Sequence, residues 1–130
     1  MRRLMVLGLL VAVGACADTG SFPPAGQRFA VFFQEWSASL DDGGQAVVAD
    51  AATWANSHPA AAVHVIGYAD PEGTPQANRD LSRTRAQVVA DGLKADGVAA
   101  QRITIEGAGS VAYALDSQES RRVTISLGTP

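Results

Sequence analysis

Between Gln76 and Ala95 the chain carries an amphipathic helical pattern with one charge on the wrong side. At about 100° per residue, with Leu81 at zero, Val88 falls near −20°, Val89 near 80°, Leu93 near 120° and Ala86 near 140°. Arg83, Gln87, Asp91 and Lys94 gather between about 200° and 280°, a solvent face. Arg85 falls at about 40°, inside the apolar arc, and Asn78 at about 60° if the helix already includes it. An inward arginine must snorkel out or meet acceptors, because an unpaired buried charge is costly. Any fold for this chain therefore has to bring acceptors to that helix face.

The segment just before this helix offers them. Tyr68 to Pro75 is polar and holds Pro71-Glu72-Gly73, a turn signal, with the acids Asp70 and Glu72. A strand end, a helix start and Arg85 then surround one pocket, furnished with a carboxylate, a guanidinium, an amide and free helix-start N–H groups. Such a set suits a zwitterion, with Asp70 on an ammonium and Arg85 gripping a carboxylate in a fork. It equally suits an internal Asp70–Arg85 ion pair that only orders the loop. Spacing alone leaves both open.

The remaining elements follow from periodicity and punctuation. Gln27 to Gln34 reads as a first strand, with Phe29, Val31 and Phe33 alternating. Trp36 to Leu40 is a connection. Asp41 and Asp42 offer an N-cap and a first-turn acid for a helix to about Ser57, with Val47, Val48, Ala51, Ala52, Trp54 and Ala55 on its buried side and Pro59 beyond its end. Ala62 to Gly67 is a second strand, with Val63 and Val65 on one face and His64 and Ile66 on the other. After the second helix, Gly97 fits a helix-ending position. Arg102 to Glu106 is a third strand, broken by Gly107-Ala108-Gly109, and Arg121 to Leu127 is a last one. The order is βαβαββ, and the helical crossovers allow parallel pairing in part of the sheet.

The first 15 residues form a different block. Arg2 and Arg3 precede an apolar run from Leu4 to Val13, then Gly14 and Ala15 precede Cys16. This is the layout of a secretory signal peptide, and the run falls short of the about 20 apolar residues a spanning helix needs. Residues 17 to 26, rich in Gly, Pro and small residues, read as a tether. Cys16 is the only cysteine, so no internal disulfide can form. Without Arg2 and Arg3, 8 basic residues face 13 acidic ones, a formal charge of −5. That balance argues against nucleic acid as a partner and against charge-driven binding to anionic lipid.

Val13-Gly14-Ala15-Cys16 resembles the bacterial lipobox. The resemblance implies a diacylglycerol on the thiol and an acylated amino terminus, enough to hold the domain on a membrane. Gly67-Tyr68-Ala69-Asp70, Gly73-Thr74, Asn78 and Leu81-Ser82-Arg83-Thr84-Arg85-Ala86 resemble the peptidoglycan-binding signature of OmpA-like domains, the family of the Pal lipoproteins and of MotB. That signature is a strand ending in Gly-His-Thr-Asp, a Gly-Ser turn, an Asn, and Leu-Ser-x-x-Arg-Ala. The spacing from aspartate to arginine matches without a gap. Val31 to Leu40, Gly97 to Gly109 and Arg121-Arg122-Val123 extend the likeness over residues 28 to 127.

The resemblance implies an α+β, two-layer βαβαββ sandwich with two helices on one mixed sheet. It implies a non-catalytic domain, without cofactor or metal, that grips the diaminopimelate of peptidoglycan stem peptides. Carried over, Asp70 and Arg85 are primary ligands, Asn78 is a supporting contact, and Gly73 and Thr74 shape the loop. The expected organisation is a signal peptide over 1–15, a lipidated Cys16 and tether over 16–27, and the OmpA-like domain over 28–127, at the periplasmic face of the outer membrane, with envelope proteins as further partners. Three departures stand out: Tyr68-Ala69 in place of His-Thr, a short segment between Gly109 and Arg121, and Ser120 in place of an asparagine. The first two departures favour the alternative, an envelope scaffold or assembly subunit that has lost wall binding.

Other features have plainer readings. His58 lies at a helix end and His64 in a strand, with no metal spacing. Ser37, Ser39 and Ser82 have no histidine at a spacing that pairs with them, which argues against a wall-modifying enzyme. Glu72 reads as a solvated loop acid, and Trp36 and Trp54 as core or rim aromatics rather than a sugar platform.

Overall fold

The computed structural model describes residues 26–110 and 119–128. The expectations for the signal peptide, for Cys16 and most of the tether, and for the segment 111–118 lie outside the described residues. The elements are β1 (Gln27–Phe32), α1 (Asp42–Ser57), β2 (Val63–Ala69), α2 (Pro75–Ala95), β3 (Ile103–Ser110) and β4 (Arg122–Leu127). They build an α+β sandwich with both helices on one mixed sheet, in the strand order β1-β4-β2-β3. β2 and β3 are parallel, as the α2 crossover permits, and β4 runs antiparallel to both β1 and β2.

The core lies between the layers. Val31, Val63, Val65, Val123, Ile125 and Leu127 project from the sheet onto Val48, Ala51 and Ala55 of α1 and Ala86, Val89 and Leu93 of α2. The alternation of β2 holds as expected, with Val63 and Val65 buried and His64 and Ile66 on the half-exposed face. Val47 and Trp54 are only partly buried against this core. Trp54 stacks on His58, with ring centroids 3.9 Å apart, and His58 Nδ1 donates to the Trp54 carbonyl at 2.8 Å.

Helix limits follow the capping chemistry. Asp41 accepts from the Gly44 N–H at 2.7 Å and starts α1. Thr74 accepts from the Ala77 N–H at 3.1 Å, with Pro75 at the first helical position of α2. Gly97, at φ 98°, closes α2: its N–H bonds the Lys94 carbonyl and the Val98 N–H bonds the Leu93 carbonyl, both at 3.0 Å.

Three strand limits need correction. β1 stops at Phe32 because Gln34 to Ser37 folds into a turn closed by the Ser37 N–H on the Gln34 carbonyl at 3.1 Å. β2 continues through Tyr68 and Ala69, which the polar pattern assigns to the loop. Gly107-Ala108-Gly109 does not break β3, which runs on to Ser110. The glycines serve a different purpose. A Cβ at Gly107 would lie 2.8 Å from the Arg83 backbone nitrogen, and one at Gly67 would lie 1.9 Å from the Ser82 carbonyl oxygen. Helix α2 therefore rests on the backbone of β2 and β3, and only glycine leaves room for it. The Gly109 N–H then donates to the buried Ser82 hydroxyl at 2.9 Å, fixing the end of β3 to α2.

Candidate functional site

Arg85 is 1 % exposed, so the inward placement read from the helical pattern holds. Its protein partners are backbone carbonyls, and the internal Asp70–Arg85 ion pair does not form. Nε donates to the Ser37 carbonyl at 2.7 Å, Nη1 to the Tyr68 carbonyl at 3.1 Å and Nη2 to the Gln34 carbonyl at 2.9 Å. Phe33 lies under the guanidinium, 5.4 Å from its carbon to the ring centroid. No ion pair joins Arg85 to Asp70; elsewhere among the described residues Lys94 pairs with Asp91 at 3.6 Å. Arg85 therefore clamps the turn after β1 to the end of β2. A guanidinium has five N–H groups, and three are used. Burial pushes the Arg85 pKa down from its usual value; the Asp70 carboxylate opposes that shift and Arg121 adds to it. Asp70 thus acts on Arg85 through space without touching it.

Asp70 follows β2 and is half-buried. Its Oδ1 accepts from the hydroxyl of Ser120, a residue 1 % exposed. Sequence reasoning notes Ser120 only as a departure from the family asparagine and does not pair it with Asp70. The sheet register explains the pairing. Gly67 faces Val123 across the antiparallel β2–β4 pair, and continuing that pairing sets Asp70 opposite Ser120. The stack of Arg122 on the Tyr68 ring, 4.5 Å from guanidinium carbon to centroid, fits the same register. No local sequence signal carries this, because it depends on which strand β4 joins.

Asn78 sits in the first turns of α2 and is 1 % exposed, and its Oδ1 has no hydrogen-bond partner among the described residues. A buried acceptor left without a donor costs about 1–3 kcal/mol and calls for an explanation. Asp70, Asn78, Arg85, Leu81 and Trp36 line one narrow slot, too tight as it stands for a water molecule. Gly73, at φ 90°, turns the chain at the slot's rim, and Thr74 begins α2 there. The structure thus brings Asp70, Asn78, Arg85, Gly73 and Thr74 to one corner of the fold; Cys16 is outside the described residues.

Trp36 is the second residue that sequence reasoning underrates. It lies in the turn Gln34–Ser37 with φ 55°, a left-handed conformation that costs a bulky residue about 1–3 kcal/mol. It is 55 % exposed, and its indole lies over Gly73, where an added Cβ would stand 3.0 Å from Trp36 Cη2. Nothing around Trp36 in the sequence marks a left-handed position.

Among the described residues no helix is long and apolar enough to cross a membrane, and no three His, Cys, Asp or Glu stand together as a metal site. Comparison with known proteins places the chain. It is 37 % identical over 103 residues to the probable lipoprotein YiaD of Escherichia coli, covering 75 % of this chain and 47 % of that protein. It is 37 % identical over 100 residues to the peptidoglycan-binding protein ArfA of Mycobacterium tuberculosis, covering 77 % of this chain and 31 % of the relative. The chain thus spans less than half the length of these curated relatives. The crystal structure of the peptidoglycan-associated lipoprotein from Burkholderia pseudomallei superposes with a TM-score of 0.69 at 27 % identity, covering 78 % of this chain and 90 % of that one. The model of the OmpA family matches residues 32–124, well over half of the chain, and the chain belongs to that family.

Proposed function

We propose that this chain is a cell-envelope protein whose domain binds peptidoglycan, without catalysis, by holding the diaminopimelate of stem peptides. The observation that carries the reading is the buried, unpartnered Oδ1 of Asn78 in the same slot as Asp70 and Arg85. An acceptor and a carboxylate suit an ammonium, and the two N–H groups left on Arg85 suit a carboxylate. One carbon bearing both ligand groups matches the head of an amino acid, which diaminopimelate presents free of the peptide chain. ArfA is named for binding peptidoglycan and the Burkholderia lipoprotein for associating with it, which supports the same ligand class.

In this reading a lipid on Cys16 holds the other end of the chain to the outer membrane, facing the periplasm. A tether of about ten residues then keeps domain and membrane within about 35 Å. The exposed surfaces leave room for other envelope proteins as partners.

Calorimetric titration of the purified chain with meso-diaminopimelate, comparing wild type with Asp70→Asn, tests the site. Co-sedimentation with purified sacculi tests the function. Arg85→Ala is the wrong probe, because it also removes the clamp on the turn after β1. Loss of binding in Asp70→Asn, with sacculus pelleting by wild type only, is the expected result. Undiminished binding by Asp70→Asn rejects the site, and absence of pelleting by wild type supports the scaffold alternative. Loss of palmitate labelling in cells carrying Cys16→Ser is the expected sign of the anchor.

A further inference from the structure

We infer that Trp36 is a specificity-determining ligand contact, a movable apolar wall that closes on the aliphatic stem of the bound ligand. The inference rests on the proposed diaminopimelate site and adds to it a residue and a selectivity. The slot has two kinds of lining. Asp70, Asn78 and Arg85 are polar, whereas Trp36 and Leu81 are apolar. Polar groups for a zwitterionic head beside two apolar walls define a ligand with an amino-acid head on a hydrocarbon stem. An amino acid without such a stem leaves the walls unused.

The state of Trp36 fits a wall that moves. With the indole over Gly73 the slot is too tight for a water molecule, so a ligand enters only when something shifts. Leu81 stands on α2, in a helix fixed by the core beneath it. Arg85 holds the backbone of the turn at Gln34 and Ser37, but the Trp36 side chain is largely exposed, so the indole is the side that can swing away. Its left-handed backbone is a conformation glycine holds at no steric expense, yet the largest side chain occupies it. A large apolar group that is strained, mostly in water and unused by the core has no evident role in folding. Strain of this kind collects where a side chain is held for a ligand.

The test separates a fold role from a ligand role. Trp36→Gly relieves the backbone and removes the wall; Trp36→Phe keeps an aromatic wall. Both are titrated with meso-diaminopimelate and with D-alanine, which has the head without the stem, alongside Asp70→Asn. The expected result is unchanged or raised melting temperature for Trp36→Gly, with diaminopimelate affinity lowered about 10-fold or more, in line with the loss of a large buried aromatic contact. Trp36→Phe recovers most of that loss, and the response to D-alanine is the same in all Trp36 variants. In a Trp54→Phe background, where Trp36 is the remaining tryptophan, diaminopimelate shifts the emission to the blue as the indole leaves water. Wild-type affinity, or tighter binding, in Trp36→Gly while Asp70→Asn fails to bind overturns the inference and leaves the site standing. Failure of the wild type to bind diaminopimelate at all overturns both.

Discussion

Two arginines in this domain have similar bonding and different surroundings. At one end of the sheet Arg102 donates to the carbonyls of Ala55, His58 and Ala61, with four bonds between 2.8 and 3.2 Å. These carbonyls belong to the end of α1 and the turn after it, so Arg102 is a cation on a helix C-terminus. At the other end Arg85 donates to the carbonyls of Gln34, Ser37 and Tyr68. Arg102 is half-buried, and every bond it makes serves the fold. Arg85 is fully buried, keeps N–H groups in reserve, and shares its slot with a carboxylate and an unpartnered amide oxygen. Buried charge and carbonyl bonding alone therefore do not mark a binding site. What marks the proposed site is polar capacity left unused in a place that water cannot easily reach.

The sharpest way to break that contrast is to remove each guanidinium. Arg85→Leu orphans three carbonyls under cover and is expected to destabilise the domain by about 3–5 kcal/mol in urea unfolding. Arg102→Leu exposes its carbonyls to nearby water and is expected to cost about 1–2 kcal/mol. Equal losses in the two variants mean that burial does not distinguish the arginines.

Asp70→Asn probes the function of the Arg85 end with little damage to the fold. The amide oxygen can still accept from Ser120, so the stability change is expected to stay within about 1 kcal/mol. Binding of meso-diaminopimelate is expected to weaken by about 2–5 kcal/mol, because the ligand ammonium then faces no carboxylate. An equal change in affinity from Arg102→Leu removes the distinction between clamp and site. Of smaller size, Thr74→Ala removes the cap of α2 and is expected to cost about 1 kcal/mol of stability.

The two arginines also show what a sequence can carry. Arg85 is legible because a helix has a fixed period, and one charge on an apolar arc stands out. Arg102 is not, because a residue opening a strand has no such background against which to stand out as anomalous. The helices and the alternation of β2 are legible for the same periodic reason, and Asp41 and Gly97 are legible as helix ends, whereas the Thr74 cap of α2 is not read. Strand order is not, since β4 slips between β1 and β2 over a long separation in sequence. Gly107 and Gly109 mislead as strand breakers because the need for them comes from α2 lying overhead. At the site, Asp70, Asn78 and Arg85 are side chains at informative spacings, and they do converge. The acceptors on Gln34, Ser37 and Tyr68 are backbone oxygens, which any residue supplies and no sequence reveals.

Ser120 tests the part of the site that only the sheet register could reveal. Its hydroxyl donates to Asp70, and that bond holds the carboxylate at the slot. Ser120→Ala leaves the charge in place and removes the fixing. The carboxylate then keeps most of its attraction for an ammonium but must be ordered by the ligand on arrival. The expected result is a loss of about 1 kcal/mol in affinity for meso-diaminopimelate, roughly fivefold, smaller than the loss in Asp70→Asn. Because the hydroxyl acts through Asp70, the double variant Ser120→Ala/Asp70→Asn is expected to bind no worse than Asp70→Asn alone, a coupling that a double-mutant cycle reads directly. Full additivity of the two losses means that Ser120 meets the ligand by itself, and that the pairing of Asp70 with Ser120 across β2 and β4 does not serve the site.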